Sequence, residues 1–510
     1  MRSAGALLLG PRRRHGRLPS VVAVPRARAF RQQSREVSSL SAPRIQEAYR
    51  RSRARCLLAL HAVIATLPLT RRLGEGTFLG RATLNEFFGF VFLASWAVHR
   101  LSWREHGGPG SRWGARPAAW GIVGAAFLSR ICSDTTSLLG QPGMELAVFA
   151  YTVLLFSAVW NVLRTDADAV AAVRTWMCAF GGVVAIGVCE AAARLAGLPY
   201  LFWPDEGPAF RFSLTFDNNA QLANFIAPSA VLALAYLCRF RQGLIRSIAL
   251  ASLAGAPLVL LFASKRSVFA AVAISGVALL CCLVVVGGLR ARSIAIAGLV
   301  LGGLTMLVGA HEDIRAYFLK RVSVLRPAAM AEDDFLNLQA HAVWDAFESN
   351  PFTGIGYAGF RDSKFDATGN EIHSTVGALL AETGIFGLLM YCVFMLTVPA
   401  VMWRALRASL SLQSKRFWTC IAALYPLLLV SGLYQRHTRD RTFWLLLAIV
   451  MALAEGQMRA RRSPARSESL QGHRIWNGRT GWDANGPRRT RLRGGLRIPR
   501  LAVPRTLARR

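Results

Sequence analysis

Apolar blocks of about 20 residues recur along this chain from about residue 57 to residue 458. A helix needs about 20 mainly apolar residues to cross the hydrocarbon layer of a bilayer. Charged residues make up only 17% of the 510 residues, against roughly 25% in soluble domains. The pattern therefore predicts an all-α polytopic membrane protein that passes through the lipid bilayer many times.

The apolar blocks divide into about twelve candidate transmembrane helices. Their approximate ranges are 57–70, 84–99, 117–132, 143–163, 173–197, 219–238, 244–263, 266–288, 293–310, 377–402, 417–434 and 442–458. Segment 311–372 is the longest polar stretch between them, and structureless loops of that length are unusual. We therefore expect short helices in it, for example around Asn337–Glu348.

Most of the net charge of +33 lies in the two ends of the chain, because residues 1–55 contain 14 Arg and 2 acidic residues, and residues 459–510 contain 15 Arg and 2. Such tails are candidates for contact with nucleic acid or anionic lipid. The N-terminal tail is also similar in composition to a transit peptide. We interpret both as disordered cytoplasmic tails that flank a transmembrane domain, 56–458, and we expect no nucleic-acid partner.

The basic residues of the short loops predict the orientation, since cytoplasmic loops are enriched in Lys and Arg. With the N-terminus inside, the inner loops contain Arg100, Arg104, Arg112, Arg116, Arg164, Arg239, Arg241, Arg290, Arg292, Arg404, Arg407, Lys415 and Arg416. The outer loop 133–142 contains none, whereas Arg71, Arg72 and Arg81 are exceptions in the first outer loop. Both termini are therefore predicted to be cytoplasmic, with loop 311–372 on the periplasmic face.

Segment 350–391 joins a Pro/Gly-rich turn, a polar run, one histidine and an apolar helix. The residues of interest in and just before it are Trp344, Pro351, Gly354, Gly356, Gly359, Phe360, His373, Glu382, Gly384 and Gly387. This pattern resembles the O-antigen ligase and polymerase family of bacterial membrane glycosyltransferases. One difference is Ser374, which follows His373 where the family usually has asparagine.

The resemblance implies an inverting glycosyltransferase of the bacterial inner membrane, with its active site facing the periplasm and no metal or other cofactor. The donor would be an undecaprenyl-diphosphate-linked glycan. The acceptor would be the lipid A core for a ligase, or a second lipid-linked glycan for a polymerase. The sequence leaves ligase, polymerase and protein O-glycosylation open as alternatives.

His373 is the candidate catalytic base, because a side chain that titrates near neutral pH suits deprotonation of a sugar hydroxyl. A polar neighbour of a helix cap is the alternative role for this histidine. Arg266 falls on an "S.R" corner at which the family has an essential arginine, so the resemblance assigns it to the diphosphate. An anchor that reaches the membrane surface is the alternative there.

Arg321 is the candidate for a second diphosphate ligand, since guanidinium groups pair with two phosphate oxygens. The family usually has an arginine shortly before the loop tryptophan, and this chain has none there. Arg326, Arg361 and Arg436 are further possible substrate-binding residues. A solvated loop charge is the alternative role for Arg321.

Two other features have structural interpretations. Gly354–Gly359 matches G-x-G-x-x-G, but no strand precedes it, so we expect tight turns. Asn218 and Asn219 are expected to cap a helix.

The alternative function is a transporter of a small anion or lipid, since transporters share the layout of many spans.

Overall fold

The computed structural model describes residues 26–70, 83–103, 115–133, 141–198, 213–216, 218–263, 268, 271–277, 334–365 and 371–462. These residues form helices joined by turns, and none of them lies in a β-strand. The prediction of an all-α fold is therefore confirmed over the described ranges. The compact unit that contains the helices extends to Met458, and a second unit, Arg459–Arg510, is described only at residues 459–462.

The main helices follow the predicted apolar blocks. They are α1 (Arg26–Thr66), α2 (Leu84–Ser102), α3 (Ala115–Cys132), α4 (Gln141–Val162), α5 (Asp166–Leu195), α6 (Asn219–Arg239), α7 (Leu244–Ala263), α8 (Asp334–Ser349), α9 (Thr375–Ala408), α10 (Leu412–Ala422), α11 (Leu424–Tyr434) and α12 (Arg441–Arg462). The helix predicted around Asn337–Glu348 is α8. Most of the two predicted spans between residues 266 and 310 lies outside the described residues.

Within the described residues, seven segments are long and apolar enough to cross a membrane. They are Gln141–Val162, Asp166–Ala193, Asn219–Arg239, Leu244–Ala263, Thr375–Ala408, Leu412–Tyr434 and Arg441–Arg461. Each has at least 18 residues and no more than two charged side chains in its most apolar window. This part of the chain therefore has the character of a multi-pass helical membrane protein.

The first helix extends well before the predicted membrane region, and the predicted boundary at residue 56 falls inside α1. The ring of Tyr49 lies 5.2 Å from that of His99 and 5.5 Å from that of Trp103. Arg53 forms an ion pair with Asp168 of α5. Residues 49–53 are therefore part of the packed bundle, although their charge gives them the composition of a tail.

The last helix lies at the centre of the bundle. All residues from Phe443 to Ala454 in α12 are buried, whereas a helix on the outside of a bundle has one exposed face. Trp444 packs against Phe156 of α4 and Phe394 of α9, with ring centroids 5.6 and 5.1 Å apart. The helix that is apolar on every side is therefore the one around which the others pack.

Several helices begin at the same end of the bundle, which we call the upper end. Arg441 at the start of α12 pairs with Glu86 at the start of α2, at 2.7 Å. Asn224 near the start of α6 donates a hydrogen bond to Gln435, which lies between α11 and α12. Asn218 caps α6, and its side chain accepts from the backbone N–H of Gln221 at 2.9 Å. The predicted cap is therefore confirmed for Asn218, whereas Asn219 is the first residue of the helix and donates to the carbonyl of Ala263.

The opposite, lower end joins the other helix termini. Arg239 at the end of α6 pairs with Asp166 at the start of α5, at 2.6 Å. Gln413 at the start of α10 donates to the carbonyl of Arg239 at 2.5 Å. Segments 166–193 and 219–239 therefore cross the bundle in opposite directions between these two ends.

Candidate functional site

Helix α9 is interrupted at Gly384, which has φ 62° and ψ −161°. Only glycine adopts this conformation readily, because a Cβ there meets the backbone. A Cβ on Gly384 would also overlap the carbonyl oxygen of Phe352. The interruption divides α9 into a short upper part and a long lower part.

A loop of the chain fills the interruption, and we call residues 350–359 the docking loop. The N–H of Ile355 donates to the carbonyl of Ala381 at 3.0 Å, and the N–H of Gly356 donates to that of Glu382 at 3.2 Å. On the other side, the N–H of Ile385 donates to the carbonyl of Pro351 at 2.9 Å. Backbone groups that the broken helix cannot pair within itself are thus satisfied, as a low-dielectric environment requires.

Glycines make this close approach possible. Gly354 and Gly356 have φ values of 69° and 104°, which confirms the predicted tight turns. A Cβ on Gly354 would overlap the backbone between Glu382 and Thr383. The glycines shared with the family pattern therefore allow two stretches of backbone to lie against each other.

A buried ion pair between Glu382 and Arg436 fastens the docking loop to the segment before α12. Only 2% of the Glu382 side chain and 9% of the Arg436 side chain are exposed. The same carboxylate oxygen accepts the N–H of Ala358 at 2.9 Å, and the guanidinium lies 5.1 Å from the centroid of the Tyr357 ring. Burial acts to lower the pKa of Arg436, but Glu382, Tyr357 and Glu371 together outweigh burial and raise it above its usual value.

The segment 435–440, which we call the 435–440 loop, also holds the start of α9. The hydroxyl of Thr375 donates to the carbonyl of Gln435 and accepts the N–H of His437 at 2.8 Å. Arg439 pairs with Glu145 of α4, and with Glu371 at 2.9 Å. The positive charges of this loop therefore lie among carboxylates from two other segments.

His373 lies on the exposed rim of this arrangement, two residues before α9 begins. Ser374 is the N-cap of α9, and its hydroxyl accepts the N–H of Gly377 at 3.1 Å. Ser374 therefore serves as a cap at the position where the family usually has asparagine. Ile372, on the other side of the histidine, is buried, so the backbone that carries the imidazole is held on both sides.

The predicted substrate-binding arginines have different locations. Arg361 is exposed in a short 3₁₀ turn, Phe360–Asp362. Arg436 is buried at the site, where its guanidinium pairs with Glu382. Arg266, Arg321 and Arg326 lie outside the described residues, and their assignments stay predictions.

His437 is a buried histidine that sequence reasoning did not single out. It is 2% exposed, and its Nε2 lies 2.9 Å from the hydroxyl of Ser431. That hydroxyl donates to the carbonyl of Leu428 at 3.1 Å, so Nε2 carries the proton and Nδ1 is an acceptor. Burial lowers the pKa of His437 to about 3, which keeps the ring neutral.

His437 lines a small cavity between α6, α11 and α12. The polar residues around this cavity are Asn224, Ser431, His437, Asp440 and Thr442. Its free volume is about 20 Å³, which is room for about one water molecule. Nδ1 of His437 has no hydrogen-bond partner among the described residues.

The signal for this polar cluster was present in the sequence. Glu382 lies in an otherwise apolar helix, and a carboxylate inside a spanning segment is expensive unless it is paired. Its partner could not be identified, because Tyr434–Arg441 contains three arginines.

Over the described ranges, no three His, Cys, Asp or Glu side chains are grouped as a metal site would need.

Comparison with known proteins gives no relative from which to transfer a role. No protein-family model matches the chain, and no curated protein matches it at a significant level.

Proposed function

We propose that this chain is a membrane-embedded, inverting glycosyltransferase that takes a glycan from a polyprenyl diphosphate. The observation that carries the proposal is the position of His373. It is an exposed imidazole held directly before a spanning helix, at the end of the bundle where Arg436 and Arg439 also lie. A base in this place can reach substrates that are held in the bilayer and substrates that come from water.

In the proposed step, His373 accepts the proton of the acceptor hydroxyl. The hydroxyl oxygen then attacks the anomeric carbon of the glycan, the bond from that carbon to the phosphate oxygen breaks, and the polyprenyl diphosphate leaves with the electron pair. Arg266 and Arg321, assigned from the sequence, would stabilise the leaving diphosphate, and Arg361 is a further exposed cation. Preorganised positive charge is among the largest contributions to such a reaction.

The acceptor in this proposal is a lipid A core or a second lipid-linked glycan. The reaction would take place on the periplasmic face of the inner membrane. The charge pattern of the loops supports this orientation. The Glu382–Arg436 pair would have a positioning role, because Glu382 links α9 to the docking loop through Ala358 and to the 435–440 loop through Arg436.

A transporter of a small anion or lipid is the second candidate, and the interruption of α9 at Gly384 favours it. Transporters often bind their substrates at interrupted helices near the middle of the membrane. Here, however, the docking loop occupies the interruption and pairs its backbone groups. Transport of a substrate across the membrane gives the exposed His373 no evident role, so we rank glycosyl transfer above transport.

The deciding experiment is in vitro transfer from a lipid-diphosphate glycan to candidate acceptors by the purified protein. His373→Ala should lower the rate by about 10²–10⁴-fold, the usual contribution of a general base. His341→Ala is the matched control, because His341 is also exposed and lies on the neighbouring helix α8.

The result that would overturn the base assignment is near wild-type transfer by His373→Ala together with inactive His341→Ala. Deletion of the gene separates the two candidate functions. A transferase leaves lipid-linked glycan precursor to accumulate, whereas loss of a transporter of unrelated cargo leaves that precursor pool unchanged.

A further inference from the structure

Two cysteine thiols from different helices meet at the lower end of the bundle. Sγ of Cys238 in α6 lies 3.7 Å from Sγ of Cys420 in α10. Cys420 is 2% exposed, whereas Cys238 is half-buried. A disulfide bond has an S–S length of about 2.05 Å, so the sulfurs need to move closer by roughly 1.6 Å.

The surroundings of Cys238 suit it as the thiol that reacts first. It is the last residue but one of α6, and the following residues Arg241–Gly243 are exposed. Arg246 donates to the carbonyls of Leu237 and Phe240 at 2.9 and 2.6 Å. This guanidinium therefore lies at the helix end that carries the thiol, and reactive cysteines are typically found in such electropositive, partly exposed places.

We propose that Cys238 and Cys420 are an oxidative modification site that closes to a disulfide and clamps α6 to α10. With hydrogen peroxide as the oxidant, the Cys238 thiolate attacks one peroxide oxygen and the O–O bond breaks. A sulfenic acid forms, and the leaving hydroxide takes up the proton that the thiol released, which gives one water. The Cys420 thiol then attacks the sulfenic sulfur and displaces a second water. Two thiols lose two electrons and two protons in total, and the peroxide gains them.

The clamp would act on the two segments that hold the 435–440 loop. Asn224 of α6 bonds to Gln435 in that loop. The segment Leu412–Tyr434, which begins with α10, carries Ser431, the partner of His437. A covalent link at the lower end of both segments therefore restricts how they move against each other at the upper end. The inference does not depend on the reaction catalysed there.

The test is oxidation of the full-length protein in detergent with hydrogen peroxide, followed by alkylation and peptide mass spectrometry. We expect a peptide pair linked between Cys238 and Cys420, with two fewer alkylated thiols than in the reduced protein. Cys238→Ser and Cys420→Ser should each abolish the linked pair. Cys392→Ser is the control, since Cys392 is exposed elsewhere, and this variant should still lose two thiols.

The proposal is overturned if peroxide oxidises Cys238 without a link to Cys420, or if neither thiol changes. This measurement uses the unsubstituted protein, so it remains decisive if a serine variant does not fold. The clamp itself is tested by the melting temperature, which should rise on oxidation and return with dithiothreitol, because a link across a long loop stabilises the folded state. An unchanged melting temperature in the linked protein would show that the bond clamps nothing.

Discussion

The ion pair between Glu382 and Arg436 is the residue-scale feature on which the site depends most. Removing one partner of a buried pair leaves the other charge uncompensated in a low-dielectric environment, which typically costs about 3–5 kcal/mol. Glu382→Gln should therefore lower the stability of the protein by about this amount. Thermal unfolding in detergent measures the effect.

An exposed ion pair of the same chain provides the control for Glu382→Gln. Glu47 and Arg51 are 2.9 Å apart, with side chains that are 52% and 73% exposed. Such pairs contribute about 0–1 kcal/mol, so Glu47→Gln should change the melting temperature very little. Equal effects of the two substitutions would contradict the importance we assign to the buried pair.

His437 should make the stability of the protein sensitive to mild acid. Its folded-state pKa of about 3 is below the value near 6.5 expected in the unfolded chain. Between these values the unfolded chain binds more protons than the folded chain. The contribution of the neutral His437 to the free energy of unfolding is therefore complete above about pH 6.5 and is lost as the pH falls. Each pH unit in this window costs at most about 1.4 kcal/mol.

The measurement is the melting temperature between about pH 7.5 and pH 5, for the wild type and for His437→Gln. The variant should show a smaller loss in acid, because glutamine does not titrate. Burial raises the pKa of the nearby Asp440, and its protonation in acid changes stability in the opposite direction. The comparison of wild type with His437→Gln therefore isolates the contribution of the histidine. His341→Gln controls for the replacement of a histidine by glutamine at an exposed position.

At the scale of helices, the interruption of α9 predicts opposite effects for two similar glycine substitutions. Gly384→Ala places a Cβ at a positive φ and against the carbonyl of Phe352, so it should destabilise the protein by at least about 1–3 kcal/mol. Gly182→Ala is the matched control in α5, because nothing lies within 4 Å of its Cβ position. There alanine should be neutral or stabilise by up to about 1 kcal/mol.

Loss of transfer activity in Gly384→Ala should accompany the loss of stability, whereas Gly182→Ala should retain activity. A Gly384→Ala variant as stable as the wild type would mean that α9 continues unbroken through this residue.

The position of this interruption could not be predicted from the sequence, although the helix could. Gly377, Gly384 and Gly387 all lie in α9. The apolar periodicity of the sequence does not indicate which of them interrupts the helix. Only Gly384 has a positive φ. The reason is a tertiary contact, because the docking loop forms hydrogen bonds with residues on either side of Gly384. The extent of α1 was missed for a similar reason, since contacts such as Arg53–Asp168 give a basic stretch a packed partner.

At the scale of the whole molecule, the fold class, the cap at Asn218 and helix α8 follow from sequence patterns. The partner of Arg436 does not, because several arginines lie within reach of one carboxylate in the linear sequence. The roles of Arg266, Arg321 and Arg326 also remain predictions from the sequence, since those residues lie outside the described ranges.

The topology gives a prediction for the complete protein in its membrane. Lys364 and Gln242 are both exposed and lie in loops that the charge pattern assigns to opposite faces. In a variant with its native cysteines replaced by serine, an impermeant maleimide should label Lys364→Cys in intact spheroplasts. It should label Gln242→Cys only after the membrane is permeabilised. The reverse pattern would invert the predicted orientation.

The docking loop also restricts which changes of length this chain can accept. Loops normally tolerate inserted and deleted residues. Here Pro351, Ile355 and Gly356 each bond to a fixed position on α9. One residue added between the proline and the isoleucine would shift the register of those hydrogen bonds. One residue removed would leave the loop too short to reach from one side of the interruption in α9 to the other. This surface segment should therefore keep a constant length among related sequences, as a helix in the core does, while its exposed side chains are free to vary.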